Sequence, residues 1–274
     1  MPYFTVSDGT PLWYKDEGKG PVLVLLQGLM LSADYFWQKN QSVLSKDMRV
    51  ITVDLRSHGQ SGKPLAGHTI AQCAQDLSEL FQALDLKEIT LGGLAFGAMV
   101  ALDYIRQFGT DRLKSLLIIE AQVRLTNADD WPHATFGDFS EEAGAGFVAA
   151  CHQSREPLGG FLQGAFATPP DPETMAAMEA QMWLTPTAAV IAYIEDMLAA
   201  DYRADLATIS LPTLLIYGRG NNATLPTELG RWIETQMPTS RFVAFKESGH
   251  SPFWEEADLF NQTVADFVTG GGQA

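Results

Sequence analysis

Gly93-Leu94-Ala95-Phe96-Gly97 follows the apolar run Ile89 to Leu91 and opens a helical pattern (Met99, Val100, Leu102, Tyr104, Ile105) that stops at Gly109. Glycine on both flanks lets a strand turn abruptly into a helix and presents the central residue, in strained geometry, beside the helix N-terminus. This is a nucleophile elbow in outline. Its centre is alanine, however, and a methyl group can neither attack a carbonyl nor be activated by a base. A second group of chemical interest is His250, in a Gly-His-Ser-Pro turn after the run Phe242 to Phe245, where an imidazole can serve as general base. A third is Glu120, which ends the apolar run Leu116 to Ile119. A carboxylate there must be paired or wet, because burying it alone costs several kcal/mol.

The elements that would position these residues are legible as short continuous apolar runs: Val22 to Leu26, Val50 to Val53, Ile89 to Leu91, Leu116 to Ile119 and Thr213 to Tyr217. Such runs suit strands covered on both faces. Helical patterns lie between them, the best being Ile70, Cys73, Leu77, Leu80 and Leu84 with Thr69 placed to cap it. The alternation predicts an α/β fold with a mainly parallel sheet flanked by helices. Phe4 to Val6 and Leu12 to Tyr14 around Asp8-Gly9 predict a hairpin that adds an antiparallel edge. After Glu120 the rhythm breaks: residues 122–205 carry no comparable strand run and read as helices separated by Pro and Gly. The expected organisation is therefore a core of residues 1–121 and 206–274 with an inserted helical lid at 122–205. That insert holds nine aromatic residues and four methionines, and thirteen acidic side chains against three arginines. A polyanionic substrate would have to cross that field, so a neutral and rather apolar small molecule is the expected ligand.

With 274 residues, 46% of them apolar, the chain can close one large core. Its formal charge of -15 sets it against nucleic acid and anionic membrane surfaces as partners. Cys73 and Cys151 have neither metal-knuckle nor redox-pair spacing, which suits a reduced, cytoplasmic setting. No apolar run reaches the length of a membrane span or signal core. Gly92-Gly93 belongs to the elbow, and no other glycine-rich loop has phosphate-binding spacing, so no metal, nucleotide or flavin is expected.

Four ordered motifs now give a resemblance over nearly the whole chain. They are Gln27-Gly28-Leu29 after the third strand, Asp54-Leu55-Arg56-Ser57-His58-Gly59-Gln60-Ser61-Gly62 after the fourth, the Gly93 to Gly97 elbow, and Glu247-Ser248-Gly249-His250-Ser251-Pro252 after the last. Together they resemble the α/β-hydrolase family, and more particularly its serine esterase and lactonase branches. The resemblance implies the order nucleophile, acid, histidine, with position 95 as the nucleophile site and His250 as the base. Many members carry the acid in the loop after the penultimate strand, but this chain has Asn221 there. Other branches take it from the end of the strand after the elbow helix, which makes Glu120 the candidate acid, with Asp196 or no acid as alternatives. The resemblance also implies an oxyanion hole formed by the main-chain N–H groups of Leu29 and Phe96, which tolerates side-chain change. Gln27 stands where the family usually has histidine. Gln27, Met30, Trp131, His133, Phe136, Trp183 and Trp254 are the candidate pocket side chains.

Ala95 leaves three functional classes open. One is a hydrolase of esters or lactones in which alanine has replaced the catalytic serine, as is done to hold a substrate in place. Another is a native catalyst without serine, using His250 and Glu120 as a base dyad for cofactor-independent elimination, cyclisation or oxygenation. The third is a catalytically silent ligand-binding protein. Haloalkane dehalogenase and epoxide hydrolase chemistry would require aspartate at position 95.

Overall fold

A computed structural model describes residues 3–220 and 224–270. Eight strands, β1 (Tyr3–Thr5), β2 (Pro11–Glu17), β3 (Val22–Leu26), β4 (Arg49–Val53), β5 (Ile89–Leu94), β6 (Leu113–Ile119), β7 (Thr213–Gly218) and β8 (Ser240–Phe245), form one sheet in the order β1-β2-β4-β3-β5-β6-β7-β8. β1 pairs antiparallel with β2 and β2 with β4, while every other pairing is parallel. The antiparallel edge hairpin forms where Asp8-Gly9 predicts it, with the Gly9 amide donating to the Val6 carbonyl at 2.8 Å.

The helices are α1 (Ala33–Phe36), α2 (Gln41–Leu44), α3 (Ile70–Ala83), α4 (Phe96–Phe108), α5 (Glu141–Gln153), α6 (Glu156–Gly164), α7 (Pro172–Met182), α8 (Thr187–Ala199), α9 (Leu229–Gln236), α10 (Pro252–Glu255) and α11 (Ala257–Thr269). The inner strands β3, β5 and β7 are buried along nearly their whole length because the sheet is packed on both faces there, while β2, next to the edge, keeps Lys15, Asp16 and Glu17 at its outer end. Alternation along β3 sends Val24 and Leu26 into the core under α3 and α4, and Leu23 and Leu25 into the one that includes Phe260 and Val264 of α11. α3 starts where Thr69 Oγ1 accepts from the Gln72 amide at 3.1 Å, and it buries Ile70, Cys73, Leu77, Leu80 and Phe81.

The order of strands reverses direction around β3: β4 lies on one side of it and β5 on the other. In open α/β sheets the crevice outside the carboxyl ends of the strands at such a switch is where ligands bind. Gly28 and Leu29 follow β3, Ala95 follows β5, Glu120 follows β6, and the His250 turn follows β8, so the topology alone gathers the candidate chemistry at one end of the sheet. α5 to α8 lie between β6 and β7 and close over the same end.

The β5–α4 turn depends on its glycines. A Cβ on Gly93 would collide with the backbone of Gly97 and Ala98, and one on Gly97 would lie 2.6 Å from the Gln27 carbonyl oxygen. Gly97→Ala is therefore expected to lower stability by about 2–3 kcal/mol or to prevent folding. Gly146→Ala, in α5 with open space around it, is expected to raise stability by up to about 1 kcal/mol. Urea unfolding midpoints of the two variants check both signs.

Candidate active site

Ala95 sits between β5 and α4 with φ 47° and ψ -109°. Its amide donates to the Ile119 carbonyl at 2.9 Å, and its carbonyl accepts from Ala98 and Met99. A left-handed φ on a residue with a Cβ costs on the order of 1–3 kcal/mol and persists only where the surroundings impose it. Here the tight glycine turn and those bonds impose it, so the strained presentation expected of an elbow is intact with a methyl group at its tip.

His250 and Glu120 come together although 130 residues separate them: His250 Nδ1 donates to Glu120 Oε2 at 2.9 Å. The bond fixes the proton on Nδ1 and leaves Nε2 as the basic nitrogen. Glu120 is fully buried, at φ 46°, and its other carboxylate oxygen accepts from the Gly218 amide. Tyr217 locks the adjoining backbone by donating its hydroxyl to the Ala121 carbonyl at 2.8 Å. A Cβ on Gly218 would run into the carbonyls of Ser248 and Gly249. β7 therefore needs glycine at this point to let the histidine turn approach the acid. The alternative acid, Asp196, is occupied elsewhere: its carboxylate accepts from the Ile70 amide at 2.7 Å, at the start of α3. Asn221 lies outside the described residues.

Ala95, Phe96, Leu29 and His250 all line one cavity of about 150 Å³. The main-chain N–H groups of Leu29 and Phe96 have no backbone acceptor among the described residues. The walls come from both halves of the chain: Met30, Tyr35, Phe36, Phe253 and Trp254 below, and Phe139, Phe147, Phe161, Phe166, Met178, Met182 and Ile194 above. Among the described residues no Asp, Glu, Lys or Arg lines it, so a charged ligand would lose its hydration without gaining a counter-ion there. Phe136 also lines the cavity while remaining 49% exposed, which places it at the mouth. Its backbone is left-handed at φ 58°, its amide donates to the Thr224 carbonyl at 2.8 Å, and its ring meets Phe139 and Phe161 edge-on. Phe161 in turn stands edge-on to the His250 ring, 6.1 Å between centroids.

Met30, Phe136 and Trp254 thus sit on the cavity, but four other candidates for its wall do not. Gln27 is fully buried beneath it, and its amide bonds the Val53 carbonyl and the Leu55 amide. Trp131 is buried against Trp232 with its indole N–H donating to the Arg124 carbonyl at 3.0 Å. His133 packs in the same aromatic group, edge-on to Trp131 and tilted against Trp232, and Trp183 faces outward under the Arg155 guanidinium. Periodicity marks all of these as large side chains of the inserted segment but carries no information about which side of a helix or loop meets the cavity. Tyr35, Thr135 and Ser251 are the converse case: each lines the cavity, and only the position of Ser251 beside His250 could have signalled it.

The Asp54 to Gly62 motif holds the loops in place. Asp54 accepts from the Ala33 and Gln60 amides at 2.6 and 2.7 Å, and Arg56 is fully buried against Asp76 and reaches Asp8. His58 lies wholly buried behind the Phe96 ring, its Nδ1 donating to the Arg56 carbonyl at 2.9 Å. Burial pushes its pKa down to about 4. Below the ordinary histidine pKa the unfolded chain therefore takes up a proton that the folded chain refuses. Stability is expected to fall by about 2 kcal/mol between pH 7 and pH 5 on this account alone. Urea midpoints across that window, compared with His58→Phe, check the slope.

Among the described residues no cluster of His, Cys, Asp or Glu could hold a metal ion, and no helix is long and apolar enough to cross a membrane. Cys73 and Cys151 are buried and unbridged.

A family model described as alpha/beta hydrolase fold matches residues 21–257. An AB hydrolase superfamily protein of Bacillus subtilis (strain 168) is 26% identical over 271 residues, covering 97% of this chain and 98% of its own length. A non-heme chloroperoxidase of Kitasatospora aureofaciens is 24% identical over 276 residues, with 98% and 99% covered. The solved structure of an esterase from Exiguobacterium antarcticum superimposes with a TM-score of 0.91 at 25% identity, over 97% of this chain and 98% of that one.

Proposed function

The chain belongs to the alpha/beta hydrolase fold family, and from that premise we propose that its cavity takes an ester or lactone of a neutral, largely apolar small molecule. In this reading alanine stands where the nucleophilic serine would be, so the chain binds such a molecule and turns it over poorly. One observation carries the reading: the His250–Glu120 bond of 2.9 Å opens onto the same apolar cavity as Ala95 and the Leu29 and Phe96 amides. On this reading those groups are what a serine at position 95 would use. The likeness to the esterase of Exiguobacterium antarcticum supports the bond type.

With serine at position 95, its Oγ attacks the carbonyl carbon while His250 Nε2 takes the hydroxyl proton, and Glu120 holds the imidazolium that results. The Leu29 and Phe96 amides hold the carbonyl oxygen as it becomes negative. Collapse expels the alcohol, protonated by His250, and leaves an acyl-enzyme. Water, activated by the same imidazole, then attacks the acyl carbon, and collapse breaks the acyl–Oγ bond, returns the proton from His250 to the serine and releases the carboxylic acid. Residues 122–205 act as the lid that keeps bulk solvent out of this sequence. The test is hydrolysis of short aryl esters and lactones by the Ala95→Ser variant. Restored turnover supports the reading, and an inert, folded variant removes it.

A second reading keeps Ala95 as the native residue. It is favoured by the completeness of the His250–Glu120 pair, which can abstract a proton for elimination or cyclisation without any covalent intermediate. Under it the unmodified chain transforms its substrate, His250→Ala abolishes that reaction, and Ala95→Ser adds nothing.

A further inference from the structure

Resting on the ester-or-lactone reading, we infer that the ligand carries a second hydrogen-bonding group beyond its reacting carbonyl, and that the Ser251 hydroxyl, with Thr135 as a second contact, selects for it. Ser251 follows His250 directly, is 4% exposed and lines the cavity. It heads α10, yet its side chain makes no capping hydrogen bond. Thr135 lines the same cavity at 7% exposure, and its Oγ1 has no hydrogen-bond partner among the described residues. Of the other polar side chains on the wall, His250 is tied through Nδ1 to Glu120, and Tyr35 through its hydroxyl to the Thr174 carbonyl. The remaining side chains are aliphatic, aromatic or thioether.

Buried hydroxyls are nearly always satisfied, and each exception calls for a cause. A threonine or serine retained without a partner in an otherwise hydrocarbon chamber is unfavourable for a purely hydrocarbon ligand, which would seal the hydroxyl away from water. It is favourable for a ligand that offers a hydroxyl, ether or amide. Because Ser251 adjoins the base, the group it meets lies within a few bonds of the carbonyl.

The unmodified chain, which lacks a nucleophile, allows intact esters to be used as binding probes. Calorimetric titration would compare phenyl 3-hydroxybutanoate with phenyl butanoate, and 1-phenylethanol with ethylbenzene. Binding of the hydroxylated member of each pair is expected to be about fivefold tighter, the worth of one net hydrogen bond. Ser251→Ala should bring the ratio close to one while binding the plain member equally well or more tightly, an inversion that simple damage to the fold does not produce. The double variant with Thr135→Val should erase any residual preference. Equal binding within both pairs by the unmodified chain, or a preference that survives the double variant, overturns the inference. If neither ester binds but the alcohol is still preferred in a Ser251-dependent way, the ester reading fails and the role of Ser251 stands.

Discussion

Ala95→Ser is expected to raise the rate of aryl ester hydrolysis by at least about a thousandfold over the unmodified chain. Deleting the nucleophile from an assembled triad costs on the order of 10⁶ in kcat, and the oxyanion hole and binding alone leave a residue of about 10³–10⁴ over water. Little else has to change to recover the difference. The backbone at 95 already has its φ of 47°, so serine adds an oxygen without adding strain. His250 is already tied to Glu120. Stopped-flow release of the aryl alcohol should show a burst of about one equivalent per chain, the mark of an acyl-enzyme. A variant that melts at the same temperature as the parent and gives neither burst nor steady turnover would sink the serine-hydrolase proposal.

The second large effect concerns the acid. In the Ala95→Ser background, Glu120→Gln is expected to lower kcat by about 10³–10⁴-fold with a much smaller change in KM. The carboxylate accepts from both His250 Nδ1 and the Gly218 amide, and glutamine offers one acceptor and one donor for those two N–H groups. One bond must be lost. Where the amide N–H faces the ring, the proton moves to Nε2 and the base is silenced. The same lost bond in a buried site lowers stability by about 1–3 kcal/mol, so a thermal melt accompanies the kinetics. A fall of less than tenfold would move the acid to another residue.

The sequence was most informative where local chemistry and fold agree. The β-runs could be read because strands packed on both faces must be apolar along their length, and the turn after β5 because only glycine permits the approach seen at Gly97. Glu120 was readable as a paired carboxylate, since a glutamate ending a buried strand needs a partner and His250 is that partner, while its part as the acid is what the family resemblance implies. The cavity wall was much less legible. Trp131 and Trp183 have the bulk and aromatic character of a pocket side chain, yet one packs against Trp232 and the other lies under Arg155. Which face of a short helix or loop turns inward depends on packing between segments far apart in the chain, and side-chain type does not encode it. Tyr193 illustrates the same limit: part of the aromatic content of the inserted segment, it lies in the core beneath Phe96.

Tyr193 also ties the inserted segment down. Its hydroxyl donates to the Arg56 carbonyl at 3.0 Å, and three residues later Asp196 accepts from Ile70, so α8 is riveted to the sheet-bound half of the chain at two places. A hinged swing of the whole insert would have to break both rivets. The less costly doorway is the half-exposed ring of Phe136, which can rotate aside without disturbing either. Turning an exposed side chain takes picoseconds to nanoseconds, whereas the parting of domains takes microseconds to milliseconds, so entry by way of Phe136 would not limit the rate at which ligand exchanges.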